Sequence, residues 1–113
     1  MEAMPNLENV SDLVFFTNRA LQGEIRPNMR RVSIEYIKET KTATLYLYYD
    51  KPLTQEELDY DVPGTIIAEL ISDFPKPDDV EWKDNIIVLP YPNRLPNRGL
   101  CIFQRYEPVP QNE

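Results

Sequence analysis

The amino-acid sequence predicts an α+β fold, with elements in the order α-β-β-α-β-β and a four-stranded antiparallel sheet that has its helices packed on one face. Three observations predict it. Two segments have the spacing of amphipathic helices, four have the spacing of strands, and short connections favour two hairpins. With 113 residues, 42% of them hydrophobic, we expect a single domain over 1–113 with loose termini at 1–9 and 108–113.

The first helix is predicted over residues 11–22. Leu13, Phe16 and Ala20 fall at positions i, i+3 and i+7, which places them on one side of a helix. Gly23 follows as a C-terminal stop signal. This helix therefore has an apolar side that can pack against the sheet.

The next two elements are predicted to be strands of a hairpin. Apolar and polar residues alternate over 31–36 and again over 44–49, which is the period of a half-buried strand. The polar stretch 39–42 between them predicts a loop of about four residues. Aromatic residues fall on both faces of the second strand, which indicates either a central strand or an exposed aromatic face.

A second helix is predicted from Thr54 to about Ser72. Thr54 and Glu57 form a T-x-x-E capping box, in which each side chain bonds the backbone of the other residue. Apolar residues then recur every four positions at Leu58, Val62, Ile66 and Leu70. Pro63-Gly64 lies in the middle, so we expect a kink or a break into two short helices.

The last two strands are predicted over 80–89 and 100–106. The first contains the apolar run 86–89, which is typical of a buried strand, and the second alternates in the strand period. The connection 90–99 is rich in Pro, Asn and Gly and predicts turns. We expect these two strands to form the second hairpin.

The residue inventory argues against an enzyme. The chain has no His, one Cys and three Gly, so a His-assisted nucleophile, a His/Cys metal site and a glycine-rich phosphate loop are all missing. Cys101 lies in a strand pattern and is predicted to be a small buried hydrophobe. We favour a solvated acidic face over a carboxylate-only active site, and we expect no catalytic residue, cofactor or metal.

The cellular setting is predicted to be the cytoplasm. A single cysteine cannot form an intramolecular disulfide, so the fold does not rely on an oxidising compartment. The N-terminal residues lack the basic and apolar regions of a signal peptide. The longest apolar runs have four residues, whereas a membrane span needs about 20, so no membrane partner is expected.

Charge is distributed unevenly along the chain. Residues 50–84 carry eleven acidic and three basic side chains, a net charge of −8, while the whole chain has −7. An acidic face of this kind attracts a basic partner and repels acidic ones. The alternative interpretation is an ordinary solvated helix face.

Nucleic-acid binding is the weaker alternative. The basic residues between Arg26 and Lys41, with Tyr46 and Tyr48 nearby, could form a sheet surface with exposed aromatics. Affinity for nucleic acid, however, depends largely on positive charge that meets phosphates, and the net charge of this chain is −7. We therefore expect no nucleic-acid partner.

The segment 19–32 matches the pattern R-A-L-x-G-x-x-x-P-N-x-R-x-V, and further matching features follow it. They are Tyr49-Asp50 at a strand end, the T-x-E-E helix start at 54–57, the segment 68–75, Pro90-Tyr91-Pro92, and Gln104-Arg105-Tyr106-Glu107. Together they cover about residues 13–107. The chain resembles small immunity proteins of bacterial contact-dependent growth-inhibition (toxin–immunity) systems.

This resemblance implies an α+β protein that binds the toxic C-terminal domain of a delivered toxin inside the producing cell. Such toxin domains are often nucleases, whose substrate-binding surfaces are basic. We therefore predict a non-enzymatic immunity protein that neutralises a basic nuclease by occluding its active site or substrate groove. The alternative is a structural or regulatory interaction module, or a homodimer.

Residues that contact the partner are predicted from the acidic segment and its tyrosines. A central aromatic surrounded by carboxylates is the arrangement expected of a binding hot spot. The predicted contact residues are Glu56, Asp59, Tyr60, Asp61, Asp78, Asp79 and Tyr91.

Overall fold

The computed structural model describes residues 5–74 and 79–108. In chain order the elements are α1 (Val10–Ala20), β1 (Met29–Ile37), β2 (Thr42–Tyr49), α2 (Gln55–Tyr60), α3 (Val62–Asp73), β3 (Glu81–Val88) and β4 (Leu100–Gln104). The α+β class is confirmed, and the order of elements is the predicted one except that the second helix is divided.

Helix α1 begins and ends close to the predicted residues. The Asn9 side chain accepts a hydrogen bond from the backbone N–H of Asp12, which caps the first turn. The helix gives way to turns at Leu21, and Gly23 follows with a φ of +79°. The apolar side with Leu13 and Ala20 is buried, as the spacing predicts.

The predicted break in the second helix is confirmed at Asp61. The Thr54–Glu57 capping box that starts α2 is present in both directions. Asp61 has a left-handed backbone (φ 58°, ψ 64°), which ends α2 and starts α3. Its side chain accepts a hydrogen bond from the Gly64 N–H at 3.1 Å. Pro63 lies in the first turn of α3, where backbone N–H groups have no acceptor within the helix. The missing N–H of the proline therefore costs no helical hydrogen bond.

The sheet is mixed and has the strand order β3-β2-β1-β4. β1 and β2 form the predicted antiparallel hairpin, and β4 adds to β1 antiparallel. β3 pairs with β2 in parallel, with Glu81 opposite Thr42. The prediction of an all-antiparallel sheet with a second hairpin is wrong, because the helical crossover α2–α3 returns the chain to the end of the sheet where β2 began.

One face of the sheet carries the main core. Residues at alternating positions of β1 and β2 join the buried sides of α1 and α3 in a single apolar cluster, and Phe16 and Phe74 contact each other edge to face at 5.3 Å. The members from the two strands are Met29, Val32, Ile34, Leu45, Leu47 and Tyr49. The helices therefore pack on one face of the sheet, as predicted.

The other face is crossed by residues 89–99, which we call the strap. It begins after β3 at one edge of the sheet and ends before β4 at the opposite edge. The Arg98 guanidinium lies over the Tyr46 ring at 5.0 Å, and Arg31 Nη1 donates to the Pro96 carbonyl at 2.7 Å. Tyr46 and Tyr48 are buried on this face. Of the two interpretations of the aromatic pattern, the central strand is confirmed.

Two predictions of burial fail at the edges of the sheet. The apolar run at the end of β3 is only partly buried, with Val88 40% exposed. Cys101 in β4 is exposed rather than buried. Both strands are edge strands with one neighbour each, so their side chains have less protein around them than the pattern indicates. Within 5–74 and 79–108, no helix is long and apolar enough to cross a membrane.

Candidate functional site

Four of the predicted contact residues lie together on α2 and at its C-terminal end. Glu56, Asp59, Tyr60 and Asp61 are all exposed, and we call this group the α2 surface. None of the six described residues of α2 is buried. The helix is held by its capping box and by the left-handed turn at Asp61, so its side chains remain free to face solvent.

Tyr60 is the aromatic centre of the α2 surface. Its side chain is 53% exposed, and the Arg26 guanidinium lies over its ring at 5.1 Å. The Tyr60 hydroxyl donates a long hydrogen bond of 3.4 Å to Glu24 Oε2. Leu58 beside it is 50% exposed. The surface therefore combines a large, partly apolar contact area with carboxylates, which is the composition of binding hot spots.

The surroundings of α2 are strongly acidic. Residues 52–74 carry six acidic side chains and no basic one. Within α2, Asp59 accepts a hydrogen bond from the Gln55 amide at 2.8 Å, and Glu57 accepts one from the Thr54 N–H at 2.9 Å. Among the described residues, no ion pair involves an acidic side chain of α2. The negative charge of α2 is thus left available to a partner.

A cavity of about 280 Å³ opens beside the α2 surface. It lies between the end of β2, the connection that follows it, α2 and the start of α3. Its lining includes Arg26, Tyr49, Leu53, Glu56, Glu57 and Tyr60. Burial raises the pKa of the Tyr49 phenol, and the negative charge of Glu57 raises it further.

The structure does not bring the remaining acidic residues to α2. Asp78 lies outside the described residues. Asp79 is exposed just before β3, at the opposite end of α3 from Asp61. With its twelve residues, α3 itself is about 18 Å long. Asp79 and the acids of the α2 surface therefore lie at opposite ends of α3 and are not in one group.

Tyr91 lies in the strap and is engaged within the chain. Its N–H donates to Asp50 Oδ1 at 2.8 Å, and its hydroxyl donates to the Pro108 carbonyl at 2.6 Å. The Arg30 guanidinium lies 5.8 Å from the centre of its ring. These contacts give Tyr91 a structural role that adjacency to acidic residues in the sequence does not reveal.

Sequence reasoning missed the ionic network beneath Tyr91. A bulge between Met29 and Arg31 gives β1 an extra residue, Arg30, whose guanidinium is buried and makes two hydrogen bonds to Glu107 and one to the Leu89 carbonyl. The segment 104–107, which belongs to the family-like pattern, was the available signal. The sequence of this segment shows Arg105 and Glu107 but does not indicate which residues they pair with.

Arg105 extends this network to the end of β2. Its Nη2 lies 3.3 Å from Asp50 Oδ2 and 2.9 Å from Glu107 Oε2. Hydrogen bonds from Arg30 lower the pKa of Glu107, and the backbone hydrogen bond from Tyr91 lowers that of Asp50. The same pairing raises the pKa of Arg30. In the part of the chain that the structure describes, no group of three or more His, Cys, Asp or Glu side chains could hold a metal ion.

The described residues thus form an α+β domain that presents an acidic, tyrosine-bearing helix on its surface. The chain belongs to the MafI2 immunity protein family, whose profile matches residues 10–107. The resemblance to immunity proteins is thereby confirmed, and membership implies that the protein binds a cognate toxin. No curated protein matches the chain. The matched range includes α2, the strap and both Arg30 and Glu107.

Proposed function

We propose that this immunity protein neutralises a basic nuclease toxin by covering the active site or the substrate groove of the toxin with the α2 surface. The observation that supports the proposal is the exposure of α2. A six-residue helix with no buried side chain presents Tyr60 among carboxylates, inside a stretch of 23 residues that contains no lysine or arginine.

The physical basis is complementarity of charge and area. A nuclease binds phosphates with lysine and arginine side chains, so its substrate groove is positive. Carboxylates on α2 raise the rate of encounter with such a groove. Tyr60 then supplies contact area at a small cost in side-chain entropy. Inhibition follows because the occupied groove cannot admit nucleic acid, without any chemical step by the immunity protein.

The other predicted contacts would lie around this centre. Tyr91 follows the end of β3 and is bonded to Asp50, so it shares the end of the sheet from which α2 emerges. Asp78 and Asp79 precede β3 at the other end. We place them at the far rim of the interface, where charges affect association rate more than affinity. The complex is proposed to form in the cytoplasm of the producing cell, in contact-dependent growth inhibition.

The proposal is tested first with the protein encoded by the gene immediately upstream. Tagged immunity protein is mixed with that product, and complex formation is followed by co-purification and calorimetry. We expect a tight 1:1 complex that weakens as salt is added. Failure to bind that product, together with a stable symmetric dimer in solution, would support the alternative of an interaction module.

The role of the α2 surface is tested by charge reversal. Asp59→Lys should slow association with the toxin by about tenfold at low salt and flatten its salt dependence. Asp84→Lys makes the same change of charge at an exposed position of β3 and serves as the control. Equal association rates for the two variants would contradict the assignment of the interface to α2.

The nature of the toxin is tested separately. The purified toxin is incubated with plasmid DNA and with total RNA, alone and with an equimolar amount of immunity protein. Cleavage of either substrate, abolished by the immunity protein, is the expected result. A toxin that cleaves neither and still kills cells would contradict the nuclease assignment while leaving the immunity role intact.

A further inference from the structure

The cavity beside α2 is lined by a tyrosine hydroxyl that has no hydrogen-bond partner in the described part of the chain. Tyr49 is only 1% exposed, and its hydroxyl makes no hydrogen bond to any residue within 5–74 or 79–108. The hydroxyl oxygen is not fully enclosed by protein, so it can be reached from the cavity that Tyr49 lines. Tyr49 lines the cavity, and the charge of Glu57 acts on its phenol, so the hydroxyl lies within reach of a group that enters there.

Two carboxylates on the cavity wall also have oxygen atoms that accept no hydrogen bond from the described part of the chain. Glu57 receives the Thr54 N–H on Oε1 as part of the capping box, which leaves Oε2 open. Glu56 makes no hydrogen bond or ion pair in the described part of the chain. Both belong to α2 and line the cavity together with Tyr60. The acceptors on this wall therefore outnumber the donors that reach them.

The cation already present does not neutralise these carboxylates. Arg26 lines the cavity, but Nη1 donates to the Gly23 carbonyl at 2.9 Å and the guanidinium stacks over the Tyr60 ring. Among the described residues, no acidic group lies within ion-pair distance of Arg26. With Glu56 and Glu57 against one guanidinium, the cavity retains an excess of one negative charge.

We propose that this cavity takes up a single arginine side chain of the toxin. The proposal rests on the proposed function and adds the chemistry of its central contact. The guanidinium would donate to Glu56 and Glu57 and to the hydroxyl oxygen of Tyr49, and its methylenes would lie against Leu53. An arginine has five donors in a planar fork and an apolar stem, which matches a cavity with acceptors at one side and apolar walls.

The size of the cavity supports a side chain as the occupant. Small-molecule and cofactor sites range from about 300 to 1,000 Å³, and this cavity has about 280 Å³. Arginine is also among the residues enriched in binding hot spots, which lie in well-packed pockets from which water is excluded. A buried charge-assisted contact would mainly prolong the life of the complex, whereas exposed acids mainly accelerate its formation.

The test compares two cavity variants with a matched variant outside the cavity. Glu56→Gln and Tyr49→Phe each remove one proposed acceptor with little change in shape. Asp59→Asn makes the same charge change as Glu56→Gln on the same helix but away from the cavity lining. Binding to the upstream-encoded toxin is measured by surface plasmon resonance. We expect Kd to rise about tenfold for the cavity variants through faster dissociation, and Asp59→Asn to change only the association rate.

The contribution of folding is controlled by thermal denaturation. Tyr49→Phe should melt close to the temperature of the wild type, because the hydroxyl that it removes makes no hydrogen bond within the described residues. Each exposed arginine of the toxin is then changed to lysine and to alanine. Double-mutant cycles with Glu56→Gln should then identify one arginine that is coupled to Glu56. In a toxin with that arginine changed to alanine, Glu56→Gln should no longer raise Kd, and with lysine there it should raise Kd less.

Three results would overturn the proposal. If a complex forms and the cavity variants dissociate no faster than Asp59→Asn, the proposed function stands and the cavity assignment fails. If Arg26→Gln raises Kd more than Glu56→Gln does, the cavity receives an acidic group of the toxin instead. If no complex forms with the toxin at all, the proposed function fails, and the cavity assignment fails with it.

Discussion

Arg30 and Glu107 form a buried ion pair across 77 residues of sequence, with Nε–Oε2 at 2.7 Å and Nη2–Oε1 at 2.8 Å. The two side chains are 3% and 12% exposed. Because Arg30 also donates to the Leu89 carbonyl, the pair joins the start of β1, the end of β3 and the segment after β4. This contact holds the start of the strap and the segment after β4 to the central hairpin.

Removing Glu107 should destabilise the fold strongly. Glu107→Ala leaves the Arg30 guanidinium buried without its carboxylate, and the free energy of unfolding should fall by about 3 kcal/mol. The control is Glu81→Ala, which breaks an exposed pair with Lys83 and should cost less than about 0.5 kcal/mol. Urea unfolding followed by tryptophan fluorescence measures both. Equal losses would show that the buried pair does not hold the strap region.

The same network predicts a dependence of stability on pH. The pKa values of Asp50 and Glu107 are lowered in the folded protein by the Tyr91 N–H and by Arg30 respectively. In the unfolded chain these groups titrate at about 4. As the pH falls, the unfolded state therefore binds more protons than the folded state, and the free energy of unfolding decreases. Their contribution is complete at neutral pH and is lost as the pH falls through about 4 and below.

The measurement is urea unfolding of the wild type and of the Asp50→Asn/Glu107→Gln double variant from neutral to acidic pH. We expect the free energy of unfolding to fall more steeply for the wild type below about pH 4. The double variant should be less stable at neutral pH and flatter in acid. Parallel curves for the two proteins would be evidence against this assignment.

Gly99, at the junction of the strap and β4, is predicted to tolerate no side chain. Its φ is +73°, and an added Cβ would lie 2.8 Å from the Ile34 carbonyl oxygen. Gly23 has a similar φ of +79° but open space around it. Gly23→Ala should cost about 1 kcal/mol from the left-handed backbone alone, and Gly99→Ala should cost clearly more. Thermal denaturation of both variants gives the comparison, and equal melting temperatures would refute the steric argument.

Asp61 is predicted to stabilise the junction of α2 and α3 through its left-handed backbone and its cap on the Gly64 N–H, and not through its charge. Asparagine also tolerates the left-handed backbone and can cap the Gly64 N–H, so Asp61→Asn should remain close to wild-type stability. Asp61→Ala loses the cap and strains the backbone, and should cost about 2 kcal/mol. Chemical denaturation distinguishes them. Toxin affinity is then compared between Asp61→Asn and wild type, which isolates the charge from the cap.

Local features of this fold were readable from the sequence. The capping box at Thr54 is confirmed, and the break predicted from Pro63-Gly64 is found two residues earlier, at Asp61. Both features depend on neighbouring residues only. The position of β3 was not readable, because a strand after a helical crossover can pair with β2 or form a hairpin with the next strand. In the structure β3 pairs with β2, and the strap contacts that accompany this arrangement join Arg31 to Pro96 and Arg98 to Tyr46 over long distances in sequence.

The candidate site divides in the same way. The acidic residues of α2 were predictable, since charge and exposure follow from a helix start in an acidic segment. The involvement of Tyr49 was not, because strand alternation indicates only that its side chain is buried. Whether the hydroxyl of a buried tyrosine has a partner depends on residues brought together by β2, α2 and α3, and no local pattern records it.

The division of the helix at Asp61 also bears on how toxin specificity can diverge. Most of the core packing of this region falls to α3, which buries Val62, Ile66 and Leu70, while α2 buries no residue. Substitutions on α2, the toxin-binding surface in the proposed function, can therefore leave undisturbed the side chains that hold the sheet and helices together. Under the proposed function, a change of partner would require substitutions only among the six residues between the caps at Thr54 and Asp61, while the packing of α3 against the core stays as it is.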